Sequence, residues 1–140
     1  MLDETDKRIL DELSNNSRIS MKDLGEKVHL TGQAAADRVA KLEDNGVIEG
    51  YTIKVNQAKL GYVVHAFITV MTQTIHHQPY LSFIKTQEQY IIDNYKISGE
   101  GCYLLECKFP SNEVLDRFLE DLNEYANYKL SIVIKNSAER

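Results

Sequence analysis

The sequence predicts an α+β protein in two parts, an N-terminal helix-turn-helix (winged-helix-like) domain joined to a C-terminal ferredoxin-like βαββαβ domain. Three observations predict it. Residues 1–45 place their apolar side chains at helical spacing. Beyond residue 61 the composition turns β-branched and aromatic, with two helical stretches set among four extended ones. Between Ser20 and Asn45 two helices are separated by too few residues for anything but a tight corner.

Asp3 is placed to cap a first helix whose apolar stripe is Leu2, Ile9, Leu10 and Leu13, with Asp3, Glu4 and Asp6 at the favourable end of its dipole. Ser14-Asn15-Asn16-Ser17 ends it. Ser20, with Asp23 three residues on, caps a second helix with Met21, Leu24 and Val28 on one face. Val28-His29-Leu30 interrupts the pattern, and Thr31 caps a third helix along Ala35, Val39 and Leu42. Gly46 stands just past Asn45, where a left-handed residue closes a helix. In a helix-turn-helix the second helix of the pair lies in the major groove of double-stranded DNA and the first braces it. The side turned from the core carries Gln33, Ala36, Asp37, Ala40, Lys41 and Asp44. A helical hairpin in an ordinary core has the same spacing, so the rest of the chain must decide.

Gly46 to Val55 alternates like a strand, with Ile48, Thr52 and Lys54 on one side and Val47, Tyr51, Ile53 and Val55 on the other, which suits a small wing or a linker. Asn56 to Gly61 is a turn-rich break. The expected division is residues 1–50, a connecting stretch 51–61, and a second domain over 62–140.

In that second domain Val63 to Thr72 reads as a strand, and Pro79 to Gln89 as a proline-opened helix with Leu81, Phe83 and Ile84 inward. Tyr90 to Ser98 and Cys102 to Phe109 read as strands flanking Ser98-Gly99-Glu100-Gly101. Ser111 caps a helix with Val114, Leu115, Phe118, Leu119 and Leu122 on its apolar face, and Tyr128 to Lys135 closes the series, alternating Tyr128, Leu130, Ile132 and Ile134. The order β-α-β-β-α-β gives a four-stranded antiparallel sheet with both helices on one face. The other face carries Val63, Phe67, Met71, Leu104 and Val133. An apolar face without a helix of its own needs a partner, and a second copy is the simplest.

Composition narrows the function classes. No run is long and apolar enough for a membrane span and Met-Leu-Asp-Glu has no signal-peptide character, so a cytoplasmic protein is expected. The net charge of −5 argues against binding to nucleic acid through bulk positive potential. Residues 1–50 hold 7 Lys/Arg against 11 Asp/Glu, and residues 51–140 hold 9 against 10, so the half that would bind DNA is the acidic half. Binding must rest on local placement of Arg18, Lys22, Lys27, Arg38 and Lys41, and should weaken steeply with salt. Cys102 and Cys107, five apart, point to opposite faces of one strand and read as buried free thiols. No residue pattern calls for a cofactor. Adjacent His76 and His77 lack the spacing that converges on a metal ion with Cys102 or His65 and read as a solvated loop. Cys102 has no cationic sequence neighbour to make it a redox switch, His65 reads as a core or interface histidine, and Glu106 as an interface or edge charge.

Leu2-Asp3 and Asp6 ahead of Ile9-Leu10, Ser17-Arg18-Ile19-Ser20 before Leu24-Gly25, and Arg38-Val39-Ala40-Lys41-Leu42-Glu43 leading into Gly46-Val47-Ile48-Glu49-Gly50-Tyr51 form an ordered set. Leu60-Gly61 and Ser98-Gly99-Glu100-Gly101-Cys102-Tyr103-Leu104-Leu105 extend it. In this order the chain resembles the Lrp/AsnC, or feast/famine, family of bacterial and archaeal transcription regulators over nearly its whole length. The resemblance implies dimerisation through the second domain's sheet, assembly to octamers, and effectors, commonly amino acids, bound between dimers. It implies two copies of the Thr31–Asn45 helix about 34 Å apart on a bent or wrapped site.

Two departures bear on function. The family's third helix usually starts Ser-Pro and is basic, whereas this one reads Thr-Gly-Gln-Ala-Ala-Ala-Asp, with Asp37 at a commonly basic position. Expected contacts are Gln33 to base edges, Arg38 or Lys41 to phosphate, and Arg18, Lys22, Thr31, Ala36 and Asp37 around them, Asp37 being able to accept from a cytosine amino group. The family's Gly-x-x-Asp-Tyr is replaced by Gly99-Glu100-Gly101-Cys102-Tyr103. A thiol accepts from an ammonium far more poorly than a carboxylate, so within the expected effector site of Ser98, Gly99, Glu100, Gly101, Cys102 and Tyr103 either Glu100 substitutes or the effector is different or absent. Two other readings stay open. One is a ligand-sensing or hetero-oligomerising partner with weak or lost DNA binding. The other is an enzyme like the sirohaem decarboxylases, which share this architecture but would want cations on propionates where the second domain offers only Arg117 and Arg140 as arginines.

Overall fold

A computed structural model describes residues 1–138. The chain divides into two compact units, Met1–Lys54 and the part from Val55 onward. Arg140 lies outside the described residues.

The first unit is three helices: α1 (Glu4–Asn15), α2 (Met21–Val28) and α3 (Gly32–Asp44). Each begins at a side chain that satisfies an otherwise orphaned amide. The Asp3 carboxylate accepts from the Asp6 amide at 2.8 Å and the Asp6 carboxylate from the Asp3 amide at 3.2 Å, a reciprocal capping box. Ser20 Oγ accepts from Asp23 N at 3.0 Å, and Thr31 Oγ1 from Ala34 N at 3.1 Å. Ile9, Leu13, Leu24, Val28, Ala35, Val39 and Leu42 form one buried cluster, with Leu2, Leu10, Ile19, Met21, Leu30 and Ile48 packed around it. Arg8 Nη2 donates to the Lys27 carbonyl at 3.0 Å, tying α1 to the end of α2.

Residues 46–55 are not a strand, which corrects the expected alternation; of the two roles it suited, wing or linker, the segment has no strand from which to build a wing. Gly46 (φ +72°) turns the chain, and the amides of Val47 and Ile48 donate back to the Leu42 carbonyl, so the segment starts as a closing loop of α3. A strand needs a neighbour to take its backbone groups, and among the described residues nothing pairs with this one. Ile48 packs on the core while Tyr51 and Ile53 stay exposed.

The second unit runs β1 (Val64–Thr72), α4 (Gln78–Lys85), β2 (Ile91–Lys96), β3 (Tyr103–Phe109), α5 (Asn112–Leu122) and β4 (Ala126–Ile132), with a 3-10 turn at Gln57–Leu60 and another at Glu88–Tyr90. The sheet order is β2-β3-β1-β4, every pair antiparallel. This is the ferredoxin-like arrangement. Ala66, Ile68 and Val70 of β1 and Tyr103, Leu105, Cys107 and Phe109 of β3 share one core with Tyr80, Phe83 and Ile84 of α4 and Leu115, Phe118, Leu119 and Leu122 of α5, so both helices cover the same face.

Several boundaries depart from expectation. The helix expected to Gln89 stops at Lys85, because Thr86 Oγ1 donates to the Phe83 carbonyl at 2.6 Å and Gln87 N to the Ile84 carbonyl, closing the helix end in a tighter turn. The strand expected from Tyr90 starts at Ile91 and carries a register shift before Asp93. The last strand begins at Ala126 rather than Tyr128 and ends at Ile132, paired with β1 from Thr72 to Ala66. Leu130 and Ile132 lie opposite Ile68 and Ala66, on the helix side of this edge strand, yet stay partly exposed because the helices do not reach them.

Candidate nucleic-acid interface

The corner between α2 and α3 is built on two residues. His29 ends α2 in the left-handed region (φ 61°, ψ 43°), and Leu30 N donates to the Gly25 carbonyl at 2.8 Å. A Cβ on Gly25 would stand 2.6 Å from the Leu30 carbonyl oxygen and 2.9 Å from that of Thr31, so the chain returns across α2 closely enough to exclude any side chain there. That contact brings α3 against α2.

With Ala35, Val39 and Leu42 turned inward, the exposed side of α3 carries Gln33, Asp37, Ala40, Lys41 and Asp44, while Ala36 is half-buried. Thr31 is spent as the cap but remains exposed at the helix start. Gln33 Nε2 donates to Asp37 Oδ1 at 2.9 Å, one turn along the same face. The acid that breaks the expected basic pattern is therefore joined to the residue expected to read bases. Among the described residues Arg18, Lys22 and Lys41 make no side-chain ion pair, whereas Lys27 is 3.9 Å from Glu12.

Arg38 is engaged within its own unit. Its Nη1 donates to both carboxylate oxygens of Asp3, at 2.8 and 2.7 Å, and to Asp6 Oδ1 at 3.2 Å. The expected phosphate contact is thus already matched by carboxylates of α1's own capping box. The pairing holds the Asp3 carboxyl below its ordinary pKa and raises that of Arg38. One signal was present: at about 100° per residue Arg38 falls on the flank of α3 beside Val39 and Leu42, outside the exposed set.

In the second unit the stretch from Ser98 to Tyr103 does not present its six expected residues to one point. Gly99 and Gly101 both have positive φ, and the Gly101 backbone sits so close to β1 that a Cβ would meet Thr69 Cγ2 at 2.7 Å. Cys102 N donates to the Val70 carbonyl at 2.7 Å, which locks the loop onto β1. Ser98, Gly99 and Glu100 are exposed, with Glu100 3.8 Å from Lys129 at the surface. Cys102 is half-buried, correcting the expectation of two buried thiols, and its Sγ lies 3.5 Å from Thr72 Oγ1, a hydrogen bond that lowers its pKa. Cys107 is buried in the core, where desolvation pushes its pKa up to about 12.

Tyr103 belongs to the helix-side core. Its hydroxyl is 3.0 Å from His77 Nδ1 and its ring 4.9 Å from that of Tyr80. Tyr80, which the helical pattern of its segment did not single out, is 1 % exposed and donates its hydroxyl to Asn94 Oδ1 at 3.0 Å; burial raises its pKa. On the helix-free face His65 Nε2 lies 2.6 Å from Glu106 Oε2, beside half-buried Phe67, Met71 and Leu104. His76 is exposed, and among the described residues no group of three or more His, Cys, Asp and Glu side chains is arranged to hold a metal ion. Nor is any helix among them long and apolar enough to cross a membrane.

The model of a winged helix-turn-helix DNA-binding domain matches residues 2–49, and that of the Lrp/AsnC ligand binding domain matches residues 65–140. The HTH-type transcriptional regulator LrpA of Bacillus subtilis is 69% identical over 134 residues, which cover 96% of this chain and 98% of that protein. The structure of B. subtilis LrpC aligns with a TM-score of 0.92 at 31% identity, covering 100% of this chain and 99% of that one. A Neisseria meningitidis transcriptional regulator solved in complex with L-methionine aligns with a TM-score of 0.90 over 99% of this chain and 94% of that one; at 23% identity this speaks for the fold alone. On its two domains in this order, and on the extent of these likenesses, the chain belongs to the Lrp/AsnC family of helix-turn-helix transcriptional regulators.

Proposed function

We propose that this regulator reads duplex DNA through the exposed face of α3 and does so as an oligomer. The observation that carries the reading is the pairing of Gln33 with Asp37. With one Gln33 amide N–H committed to Asp37 Oδ1, the face presents Gln33 Oε1 and Asp37 Oδ2 as acceptors beside the remaining amide N–H. Acceptors suit the exocyclic amino groups of adenine and cytosine in the major groove, and the half-buried Ala36 methyl suits a thymine methyl. Arg18, Lys22 and Lys41 supply the phosphate contacts, and Thr31 stands exposed at the helix start beside them. The acidity of the unit then costs affinity, which an oligomer recovers by engaging two half-sites at once.

The second copy docks on the helix-free sheet face around Phe67, Met71 and Leu104, giving a homodimer that assembles further to an octamer. A small-molecule effector, an amino acid by analogy with the Neisseria regulator solved with L-methionine, would meet the exposed part of the expected loop, Ser98, Gly99 and Glu100, beside half-buried Cys102, Tyr103 being drawn into the core. With no carboxylate at position 102, recognition of an ammonium there falls to Glu100. The protein acts in the cytoplasm, where its DNA is.

The test is binding to the gene's own promoter region and to random duplex across a salt series, with mass measured by light scattering. Selective binding by an oligomer, with a log–log salt slope near −5 for three cations on each of two subunits, supports the reading. A folded oligomer that binds neither duplex at low salt would favour instead a sensor or hetero-oligomerising partner, the role to which Asp37 and the acidic first unit point.

A further inference from the structure

The cluster Asp3–Asp6–Arg38 joins the first residues of the chain to the middle of the helix that would enter DNA, across 35 and 32 residues of sequence. Its geometry is tight. One guanidinium nitrogen meets three carboxylate oxygens between 2.7 and 3.2 Å, and the Asp6 side chain is only 17% exposed. The two carboxylates are themselves held by each other's backbone amides in the capping box of α1, so they cannot swing away without uncapping that helix. The inner face of α3 meets the rest of its unit through apolar side chains, and the Gly25 corner sets its start, while Arg38 is its charged contact with α1. Arg38, on the flank of α3, ties one side of that helix to the start of α1. Rotation of α3 about its axis decides where Gln33, Asp37 and Lys41 point, and Lys41 lines the same surface cleft as Asp3, Asp6 and Arg38.

We propose that Arg38 is a positioning residue for sequence reading: clamped by Asp3 and Asp6, it sets the angle of α3 so that Gln33 and Asp37 face the bases, and it does not itself neutralise a phosphate. This rests on α3 being the DNA-reading helix. It also gives the two acids nearest that helix's flank a role in an interface where negative charge otherwise only costs affinity.

The proposal and simple electrostatics disagree in sign. Asp3→Asn with Asp6→Asn removes two negative charges from a DNA-facing unit, and charge alone then predicts tighter binding. The positioning role predicts the opposite. Asparagine caps helices as well as aspartate does, so α1 keeps its start and the variant is suited to fold. Binding of wild type, Asp3→Asn/Asp6→Asn, Arg38→Gln and the triple variant would be measured on promoter and random duplex over a salt series, with circular dichroism and light scattering to verify fold and assembly. Expected is a loss of about fivefold in promoter affinity for the double Asn variant and for Arg38→Gln. Random-duplex affinity should hold or rise after Asp3→Asn/Asp6→Asn, and neither variant should change the salt slope. The triple variant should lose no more than either parent. If Arg38→Gln melts the domain, the double Asn variant carries the test. Tighter promoter binding by the double Asn variant overturns the proposal, as does a salt slope reduced by about 0.9 for each Arg38 removed. Wild-type protein that binds neither duplex overturns the DNA reading and the positioning role together; wild type that binds while the acid variants bind better overturns the positioning role alone.

Discussion

Seven buried residues, from Ile9 to Leu42, hold the first unit together, whereas fifteen, from Ala66 to Ala126, hold the second. In the larger core five aromatic rings, those of Phe83, Phe109, Phe118, Tyr90 and Tyr125, lie in a chain with centroids 5.1 to 5.6 Å apart. The smaller core has no aromatic ring. A domain of about 50 residues buries a modest share of its surface, so its stability depends on how its helices start, turn and lock. Hence a polar cap, a corner glycine or an ion pair should count for more in the first unit, and side-chain volume for more in the second.

The largest expected effect tests the second half of that contrast. Phe109 is fully buried with rings of Phe118 and Tyr90 at 5.2 and 5.3 Å, and Phe109→Ala should cost about 3–5 kcal/mol in the second unit. Hydrogen exchange resolved by residue should show the loss confined to the sheet and its helices; equal loss in α1 to α3 would break the contrast, since the units would then be unfolding as one. Gly25→Ala, which drives a methyl into two backbone carbonyls, should cost about 1–3 kcal/mol in the first unit and lower promoter affinity by misplacing α3. Thr31→Ala, removing the α3 cap, should cost about 1 kcal/mol by urea unfolding, and Thr31→Ser should restore it. His29→Gly should do the reverse and stabilise by about 1 kcal/mol, since a residue with a Cβ at φ 61° carries a strain that glycine does not. If His29→Gly destabilises instead, the corner is held by the imidazole and not by backbone geometry.

The smallest effect concerns acid. Because Arg38 holds the folded Asp3 carboxyl below its ordinary 3.8, the stability this pair contributes is complete above that value and is lost as pH falls through the lower folded one. Wild type should therefore exceed Asp3→Asn in stability at neutral pH, and the two melting curves should converge as pH falls below 3.8. Curves that stay apart in acid would show that the difference does not come from the ionised Asp3–Arg38 pair.

Much of this could be read from the residues in order. Asp3, Ser20, Thr31 and Ser111 announce four helix starts because a cap works over three residues, and periodicity of two or about 3.6 separated strands from helices. The false strand over 46–55 shows the limit: alternation describes two faces but says nothing of a neighbour to bond with. The loop at Ser98 was legible as a turn through its glycines, but not its split use, with Tyr103 drawn into the core by His77 and Tyr80 and Glu100 left at the surface.

By itself, then, the sequence determined the elements, their order and the family, since caps, turns and periodicity are local and survive in a linear reading. The tertiary structure alone decided what several of the charged and sulfur side chains do. Arg38 meets Asp3 across 35 residues, His65 meets Glu106 across 41, and Cys102 meets Thr72 across 30. Such pairings follow from where the packed helices and the strand register bring distant backbone positions, and a side chain's partner, once within about 3 Å, outweighs anything its sequence neighbours suggest.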